Sequence, residues 1–323
     1  MNVWRAAADL AREAQPGGGA LATVARTRGS TPVPPGAKML VGPSGRLVGT
    51  VGGGCVEADV IGAALDALAR GLPSLVTHHL NADLAGDIGL SCGGTVEIFV
   101  EPLLRDETYL RVLEAAAAEA GVVTTATDWG AGAAGGLVKT FVPLPADAPP
   151  GEPATLTDDR RFVVERLVAA PRVVVFGAGH VGAAIARAAG AAGFRVVVID
   201  DRPEFADPTL FPDGLAVWAC DTEDALARLD LRTGDAVVIA TRGHRQDALV
   251  LERIAASSAG YVGLLGSRRK KAVVTKGLTR AGVPPEALAR VRVPVGLPIG
   301  AVTPEEIAVS VVAELVAWRR NRA

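Results

Sequence analysis

A glycine pattern in the second half of the chain constrains the fold more than any other feature. The apolar run Arg172–Phe176 predicts a buried strand, and residues 177–182 read Gly-Ala-Gly-His-Val-Gly at the start of an alanine-rich helix. The next strand, predicted over 195–199, is closed by Asp200, 23 residues after the first glycine. This is the dinucleotide fingerprint of a Rossmann-like domain, with Asp200 placed to accept a hydrogen bond from a ribose hydroxyl. The open alternative is a Rossmann fold that no longer binds a nucleotide.

Two further buried strands, predicted at 236–240 and 260–265, each lead into a polar loop. Uninterrupted apolar strands between helices predict a parallel sheet covered on both faces, in which loops at the carboxyl ends of the strands contact ligands. The first loop contains Thr241 and His244, with Asp247 close behind, and could orient a proton carrier or hold an acidic group. A solvated loop capped by Asp247 is the alternative.

The second loop, together with the residues after Asp200, indicates whether the site could bind a phosphate group. The loop begins with Gly266 and Ser267 and continues as Arg-Arg-Lys-Lys over 268–271. These cations could grip a phosphate at the sheet edge, or could be an exposed charged run. Asp200 and Asp201 disfavour a 2′-phosphate on the ribose, whereas Arg202 keeps that option open.

The first third of the chain contains two glycine-flanked cysteines. Residues 52–54 are three glycines that deliver Cys55 to the start of a predicted helix, with Glu57 in its first turn. Glycines permit close backbone approach and a helix N-terminus favours a thiolate, so this loop could hold a phosphate, a soft metal centre or a sulfur-bearing ligand. Cys92 and the two glycines after it form a second element of similar character. For either cysteine the alternative is a small buried side chain.

Proline content predicts a domain boundary near the middle of the chain. Residues 146–160 combine prolines with small and acidic residues, which is typical of a linker. Residues 1–145 are expected to form a mixed α+β domain, and residues 161–323 a Rossmann-like, doubly wound parallel sheet, so the expected fold class is α/β. Before the linker, strands are predicted at 19–27, 37–41, 47–51, 75–79, 95–100, 121–127 and 136–142, and helices at 2–15, from 56 to Gly71, and at 107–119.

Charge and cysteine content exclude several classes of protein. A net charge of −2 and a pI of about 6.1 lack the basic bias of a general nucleic-acid binder. Three cysteines in 323 residues do not form a disulfide framework and indicate a reducing compartment, with Cys220 expected in the core. The N-terminal region does not resemble a signal peptide, and no run of about 20 apolar residues occurs, so we expect a cytoplasmic protein. Alanine- and valine-rich helix faces favour a homo-oligomer.

A series of short motifs runs through most of the chain. The motifs are Gly29–Pro32 with Gly36–Met39, Gly52–Glu57, Cys92–Gly94 with Val96–Pro102, Gly177–Gly182, Gly263–Lys270, Pro294–Ala301 and Thr303–Ser310. Their order and spacing together resemble the XdhC/CoxI family. Members of that family are accessory proteins for the maturation of xanthine dehydrogenase, carbon monoxide dehydrogenase and related molybdenum hydroxylases.

The resemblance implies a protein that binds molybdenum cofactor (molybdopterin, in some forms a dinucleotide), protects it during sulfuration and delivers it to an apo-hydroxylase. The implied partners are a molybdenum hydroxylase such as xanthine dehydrogenase, and a cysteine desulfurase. Cys55 and Cys92 would approach the molybdenum or the transferable sulfur, and the Rossmann glycines the phosphate or nucleotide. The implied cofactor-binding residues are Gly52, Gly53, Gly54, Cys55, Glu57, Cys92, Gly93, Gly94, Gly177, Gly179, His180, Gly182, Asp200, Thr241, His244, Gly266 and Ser267.

Two other functions stay open. The fingerprint also fits an NAD(P)-dependent oxidoreductase, with His244 as a proton donor. The chain could instead be a docking factor with a vestigial nucleotide site. In the accessory-protein interpretation no residue has a catalytic role.

Overall fold

The computed structural model describes residues 2–13, 18–80, 93–118, 120–127, 136–145, 148, 151–168 and 170–320, without the side chains of Arg46, Leu47, His244 and Arg268. The chain divides into two compact units, Met1–Ala169 and Ala170–Ala323. This division lies C-terminal to the predicted linker 146–160. The physical reason is that residues 154–156 and 162–167 pair as strands within a sheet of the N-terminal unit.

The N-terminal unit contains the strands and helices predicted for it, with ends displaced by a few residues at most. It also contains two strands, at 154–156 and 162–167, that were not predicted because the surrounding segment is rich in proline. Its elements among the described residues are α1 (Val3–Arg12), β1 (Ala20–Arg28), β2 (Lys38–Gly42), β3 (Gly45–Gly49), α2 (Cys55–Arg70), β4 (Ser74–His79), β5 (Thr95–Pro102), α3 (Glu107–Ala118), β6 (Gly121–Thr127), β7 (Leu137–Pro143), β8 (Ala154–Leu156) and β9 (Phe162–Leu167).

Two antiparallel sheets face each other in this unit. The larger has the strand order β3-β2-β1-β5-β4 and the smaller the order β7-β6-β9-β8. Helix α2 covers the opposite face of the larger sheet and buries Val56, Val60 and Ala64 against it. Because side chains alternate along a strand, every second residue of β1, β2 and β5 points into the space between the sheets.

That space contains charged as well as apolar side chains. The Lys38 ammonium pairs with the Glu165 carboxylate, donates to Thr23 Oγ1 at 2.7 Å and lies 4.3 Å from the centroid of the Trp4 ring. Burial lowers the pKa of Lys38, although Glu165 opposes the shift. A second pair, Lys139 with Glu101 at 2.8 Å, is also buried. The two sheets are therefore joined by paired charges of opposite sign, not only by apolar packing.

The C-terminal unit is the predicted doubly wound sheet. Its five strands are all parallel, in the order β12-β11-β10-β13-β14, so the chain reverses direction of winding between β10 and β13. Its elements are β10 (Arg172–Phe176), α4 (His180–Ala191), β11 (Arg195–Asp200), β12 (Ala216–Ala219), α5 (Thr222–Arg228), β13 (Ala236–Ile239), α6 (His244–Ile254), β14 (Tyr261–Leu264), α7 (Arg268–Arg280), α8 (Pro285–Ala289) and α9 (Pro304–Arg320).

Each face of this sheet has its own apolar core. Val173 and Val175 of β10 pack with α4 and α9, whereas Val174 and Phe176 pack with helices on the other side. The expected start of α9 is confirmed, because the Thr303 hydroxyl accepts from the Glu306 N–H at 3.2 Å while the Glu306 carboxylate accepts from the Thr303 N–H. The expected α/β class with a Rossmann domain is thus confirmed. No described helix has the length and apolar composition that a bilayer crossing requires.

Breaking one buried charge pair should destabilise the protein strongly. Lys38→Met leaves the Glu165 side chain, which is only 2% exposed, without its cation. We expect a loss of about 3–5 kcal/mol in the free energy of unfolding, measured by urea denaturation. The double variant Lys38→Met/Glu165→Leu removes both charges and should recover most of that loss.

An exposed pair provides the matched control for this measurement. Arg70 and Asp66 are 2.9 Å apart on the surface of α2, and their side chains are 66% and 50% exposed. Arg70→Met should cost at most about 0.5 kcal/mol. Equal losses for Lys38→Met and Arg70→Met would show that the buried pair does not support the fold.

Candidate functional site

The turn between β10 and α4 brings main chain against main chain. Gly177 has a φ of +105°, and a Cβ on it would lie 2.3 Å from the carbonyl oxygen of Ala240. A Cβ on Gly182 would lie 1.8 Å from the carbonyl oxygen of Gly177, so neither position accepts another residue without movement of the backbone. Gly179, the N-cap of α4, has more room, since the nearest atom to a Cβ there is Arg202 Nη2 at 4.0 Å.

The Asp200 carboxylate is engaged entirely by protein donors. Its Oδ2 accepts from the Ala178 N–H at 2.7 Å and from Arg202 Nη2 at 3.0 Å, while its Oδ1 accepts from the Arg202 N–H at 3.1 Å and from Arg202 Nε at 2.9 Å. The guanidinium also stacks on the Phe205 ring, 3.8 Å from its centroid. We call this arrangement the Asp200–Arg202 clasp. It leaves no acceptor for the ribose hydroxyl that the sequence predicted at Asp200.

The clasp is charged at neutral pH. Burial raises the pKa of Asp200, but the hydrogen bonds from Arg202 and Ala178 outweigh burial, so the pKa lies below its usual 3.8. The pKa of Arg202 is raised by the same carboxylate. Because the Asp200 pKa is lowered by folding, its contribution to stability is present above pH 3.8 and is lost as the pH falls through the lowered pKa.

A cleft opens beside this turn at the carboxyl ends of the strands. Among its lining residues are Gly177, Asp200, Asp201, Arg202, Thr241 and Arg242, and we call it the glycine-turn cleft. Asp201 accepts from Arg242 Nη2 at 2.8 Å and from Gln246 Nε2 at 3.3 Å. Cys220 also lines the cleft and is half-buried, and burial raises the pKa of its thiol. His180 begins α4 with an exposed side chain.

The polar residues after β13 and β14 form an internal network. Asp247 is fully buried and accepts from Thr241 Oγ1 at 2.7 Å, while Lys270 Nζ lies 2.6 Å from its other oxygen. Lys270 Nζ also donates to the Leu265 carbonyl, and Lys271 Nζ to a main-chain carbonyl of residue 291. These two lysines are therefore engaged within the protein, whereas Arg269 is exposed and the side chain of Arg268 lies outside the described part of the chain.

Three other predicted residues of these loops have different positions in the structure. Ser267 is the N-cap of α7 and accepts from the Lys270 N–H at 3.2 Å. A Cβ on Gly266 would meet the Lys270 side chain at 2.3 Å, so this glycine makes room for the lysine. His244 begins α6, and its side chain lies outside the described part of the chain.

In the N-terminal unit, Cys55 begins α2 with an exposed free thiol. The preceding N-cap, Gly54, has φ +52° and ψ −117°, a conformation that requires glycine. The Thr50 hydroxyl organises the loop, because it lies 2.6 Å from the Gly52 carbonyl oxygen and within hydrogen-bond distance of the Glu57 carboxylate. Glu57 thus holds the loop in the described structure, and Gly53 has open space where a Cβ would stand.

The second predicted glycine pair lies against the loop that follows β1. Ser30 and Gly93 form a parallel bridge, and a Cβ on Gly94 would lie 2.3 Å from the Ser30 carbonyl oxygen. The main chain of Leu80 accepts from the Gly93 N–H and donates to the Gly94 carbonyl. Cys92, predicted to approach the metal, lies outside the described residues.

The sheet topology brings two of these loops to one edge. In the antiparallel register Arg28, at the end of β1, is opposite Thr95, at the start of β5, and His79, at the end of β4, is opposite Thr95 on the other side. Strand β3 runs parallel to β1 in the same sheet, but its last residue, Gly49, is opposite Met39 and so is level with Ala22, six residues before Arg28. The loop after β1 and the glycine pair before β5 therefore share that edge, and the glycine–cysteine loop leaves β3 in the direction of it. Among the described residues, no three His, Cys, Asp or Glu side chains are grouped as a metal site requires.

Two family models match this chain. Residues 12–79 match the model described as the XdhC and CoxI family, and residues 173–315 match the XdhC Rossmann domain. A Bacillus subtilis (strain 168) protein, named as a probable subunit of xanthine dehydrogenase, is 30% identical over 324 residues, which covers 94% of each protein. The chain belongs to the XdhC and CoxI family.

Other relatives extend the comparison. The molybdenum cofactor insertion chaperone PaoD of Escherichia coli (strain K12) is 26% identical over 310 residues, covering 94% of this chain and 85% of PaoD. The protein YqeB of the same organism is 31% identical over 322 residues, and the chain spans about half its length, 47%. A crystal structure of a xanthine dehydrogenase from Bacillus halodurans superimposes with a TM-score of 0.81 at 27% identity, covering 100% of this chain and 97% of that one.

In this member of the XdhC and CoxI family, several predicted site residues have hydrogen-bond partners that the sequence analysis did not identify. The sequence treats Arg202 only as a residue that keeps a 2′-phosphate possible, but its place two residues after a strand-end acid also indicates that it could form a bidentate pair with that acid. Thr50 and Ser30 adjoin the predicted glycines. A hydroxyl next to a glycine turn is a common way to satisfy loop carbonyls, which could have identified Thr50.

The glycines of the Rossmann turn should differ in their tolerance of a methyl group. Gly182→Ala places a Cβ against the Gly177 carbonyl and should lower the free energy of unfolding by about 1–3 kcal/mol or more. Gly179→Ala meets no atom closer than 4.0 Å at an ordinary φ of −63° and should change it by no more than about 0.5 kcal/mol. Urea denaturation of both variants measures the difference, and equal stability would contradict the observed turn.

Proposed function

We propose that this chain binds molybdenum cofactor as its cargo and serves the insertion of that cofactor into a molybdenum hydroxylase of the xanthine dehydrogenase type. One observation carries the proposal. In a chain similar to PaoD over 94% of its length, two glycine-bearing loops share one sheet edge, and a third, which leaves β3 in the direction of that edge, presents the exposed thiol of Cys55.

The residues of these loops suit the chemistry of the cargo. A molybdenum cofactor carries a soft metal centre, for which a cysteine sulfur is a suitable ligand. Its pterin and phosphate are polar and anionic, and main-chain N–H groups in glycine-rich loops and at helix N-termini bind such groups. Since Gly54 and Cys55 lie where the loop enters α2, the thiol and these N–H groups are neighbours in the chain.

The finer steps of the proposal follow from the cargo. An exposed cofactor needs protection while its metal centre is sulfurated, and a cysteine desulfurase is the partner that would supply the sulfur. The chain would then deliver the cofactor to the apo-hydroxylase without making or breaking a bond itself. Location in the cytoplasm and self-association stay predictions of the sequence.

Two alternatives predict different behaviour. A docking factor would support maturation without any thiol at position 55. An NAD(P)-dependent oxidoreductase would bind a nicotinamide dinucleotide in the glycine-turn cleft. The close packing of the glycines in the turn is the observation that favours this possibility.

Titration of the full chain with molybdenum cofactor tests the proposed function. We expect stoichiometric binding that Cys55→Ala weakens about tenfold or more, since even outer contacts to a metal centre are worth about 10–100-fold in affinity. The matched control is Cys55→Ala/Ser44→Cys, which moves an exposed thiol to the hairpin between β2 and β3, at the opposite edge of the same sheet. It should not restore binding.

Three results would contradict this assignment. Absence of cofactor binding to the wild type would overturn the function and favour the docking factor. Equal binding by wild type and Cys55→Ala would remove the thiol from the site. Restoration by the thiol at position 44 would show that any exposed thiol suffices.

A further inference from the structure

We propose that Arg202 sets the ligand preference of the glycine-turn cleft, so that the cleft accepts a phosphate monoester and rejects a ribose diol. The inference rests on the proposed function, because it names the end of the cofactor that this cleft would hold. It concerns the C-terminal unit only and does not involve Cys55.

The first step is the saturation of Asp200. A carboxylate offers about four lone-pair positions, and here four N–H groups fill them, one from Ala178 and three from Arg202. A ribose diol donates two hydroxyl hydrogens to the acid at this position of a Rossmann domain. Such a ligand can enter only if the Arg202 side chain leaves both oxygens.

The second step is the donor capacity that remains on Arg202. A guanidinium has five N–H groups in a fixed plane, of which Nε and one Nη2 N–H point to Asp200. The Arg202 side chain is 23% exposed, lies beside Gly179 and is held in place by the Phe205 ring. Its other N–H groups thus form a pre-oriented edge of the kind that matches phosphate oxygens.

The third step is the local charge. The Asp200 charge is balanced by the guanidinium and two main-chain N–H groups, and Asp201 is paired with Arg242 at 2.8 Å. Neither carboxylate faces the cleft without a cation, so the repulsion that two acids would exert on a phosphate is offset. From the sequence alone, both carboxylates would be expected to repel a phosphate, because their cation partners are not visible there.

Two kinds of ligand carry a phosphate monoester at the end in question. One is molybdenum cofactor in its mononucleotide-like form, and the other is NADP⁺ with its ribose 2′-phosphate. Each has a close counterpart that presents a ribose diol instead, namely the dinucleotide form of the cofactor and NAD⁺. The two pairs test the same chemistry and distinguish its source.

The experiment is equilibrium titration of the full chain with all four ligands, for wild type, Arg202→Ala and Arg202→Lys, with the fold of each checked by circular dichroism. We expect the wild type to prefer the phosphate-bearing member of at least one pair by about tenfold to a hundredfold. Arg202→Ala should remove that preference and strengthen binding of the diol member, because Asp200 is released. Arg202→Lys keeps the charge without the planar fork and should retain part of the preference.

The matched control is Arg253→Ala, which removes an exposed arginine near the end of α6 and should leave all four affinities unchanged. Saturable binding of neither phosphate-bearing ligand would overturn the inference. So would equal affinities within both pairs, or a preference that persists in Arg202→Ala. Should Arg202→Ala not fold, a wild-type preference unchanged in Arg202→Lys would overturn it equally.

The outcomes also separate this inference from the proposed function. Cofactor binding that needs Cys55 but is indifferent to Arg202 supports the function and overturns the role of Arg202. An Arg202-dependent preference for NADP⁺ in a chain that does not bind molybdenum cofactor supports the role of Arg202 and overturns the function.

Discussion

Both candidate sites depend on main chain approaching main chain more closely than a Cβ permits. In the C-terminal unit the start of α4 lies against the turn, with Gly182 over the carbonyl of Gly177. In the N-terminal unit Gly94 lies against the carbonyl of Ser30. At each place a loop that would otherwise stand away from the sheet is drawn onto the strand ends. Main-chain N–H groups are thereby fixed before any ligand arrives, which reduces the entropy that binding must offset.

The loops of the N-terminal unit are only as rigid as the two sheets below them. Those sheets are joined by the Lys38–Glu165 and Lys139–Glu101 pairs, which are almost fully buried. Such pairs contribute little net stability relative to apolar residues, but they penalise any register in which a charge loses its partner. Strand β2, which contains Lys38, therefore has one favourable register. The loop between β1 and β2 and the hairpin with β3 are positioned by the same constraint.

The parts of this structure that could be predicted are those specified by short patterns of neighbouring residues. The glycine turn, the strand ending at Asp200 and the capping box at Thr303 are specified by neighbouring residues, and all three were predicted. The strands at 154–156 and 162–167 were not, because prolines dominate the surrounding segment and their pairing partners lie in β6 and in each other. The Lys38–Glu165 pair joins residues 127 positions apart, and no periodicity connects them. Arg202 was visible in the sequence, but the direction of its side chain depends on Phe205 and on the turn.

Recognition in the glycine-turn cleft gains little from the net charge of its surroundings. Asp200 with Arg202 and Asp201 with Arg242 form two neutral pairs, and the nearby lysine Lys270 is neutralised by Asp247. With a net charge of −2 on the whole chain, long-range attraction of an anion is weak and is screened further by salt. What distinguishes ligands at short range is the direction of the remaining N–H groups and the absence of a spare acceptor on Asp200. The selectivity that we propose for this cleft is therefore mainly a matter of hydrogen-bond geometry, and it depends on one side chain, Arg202, remaining in place on the acid.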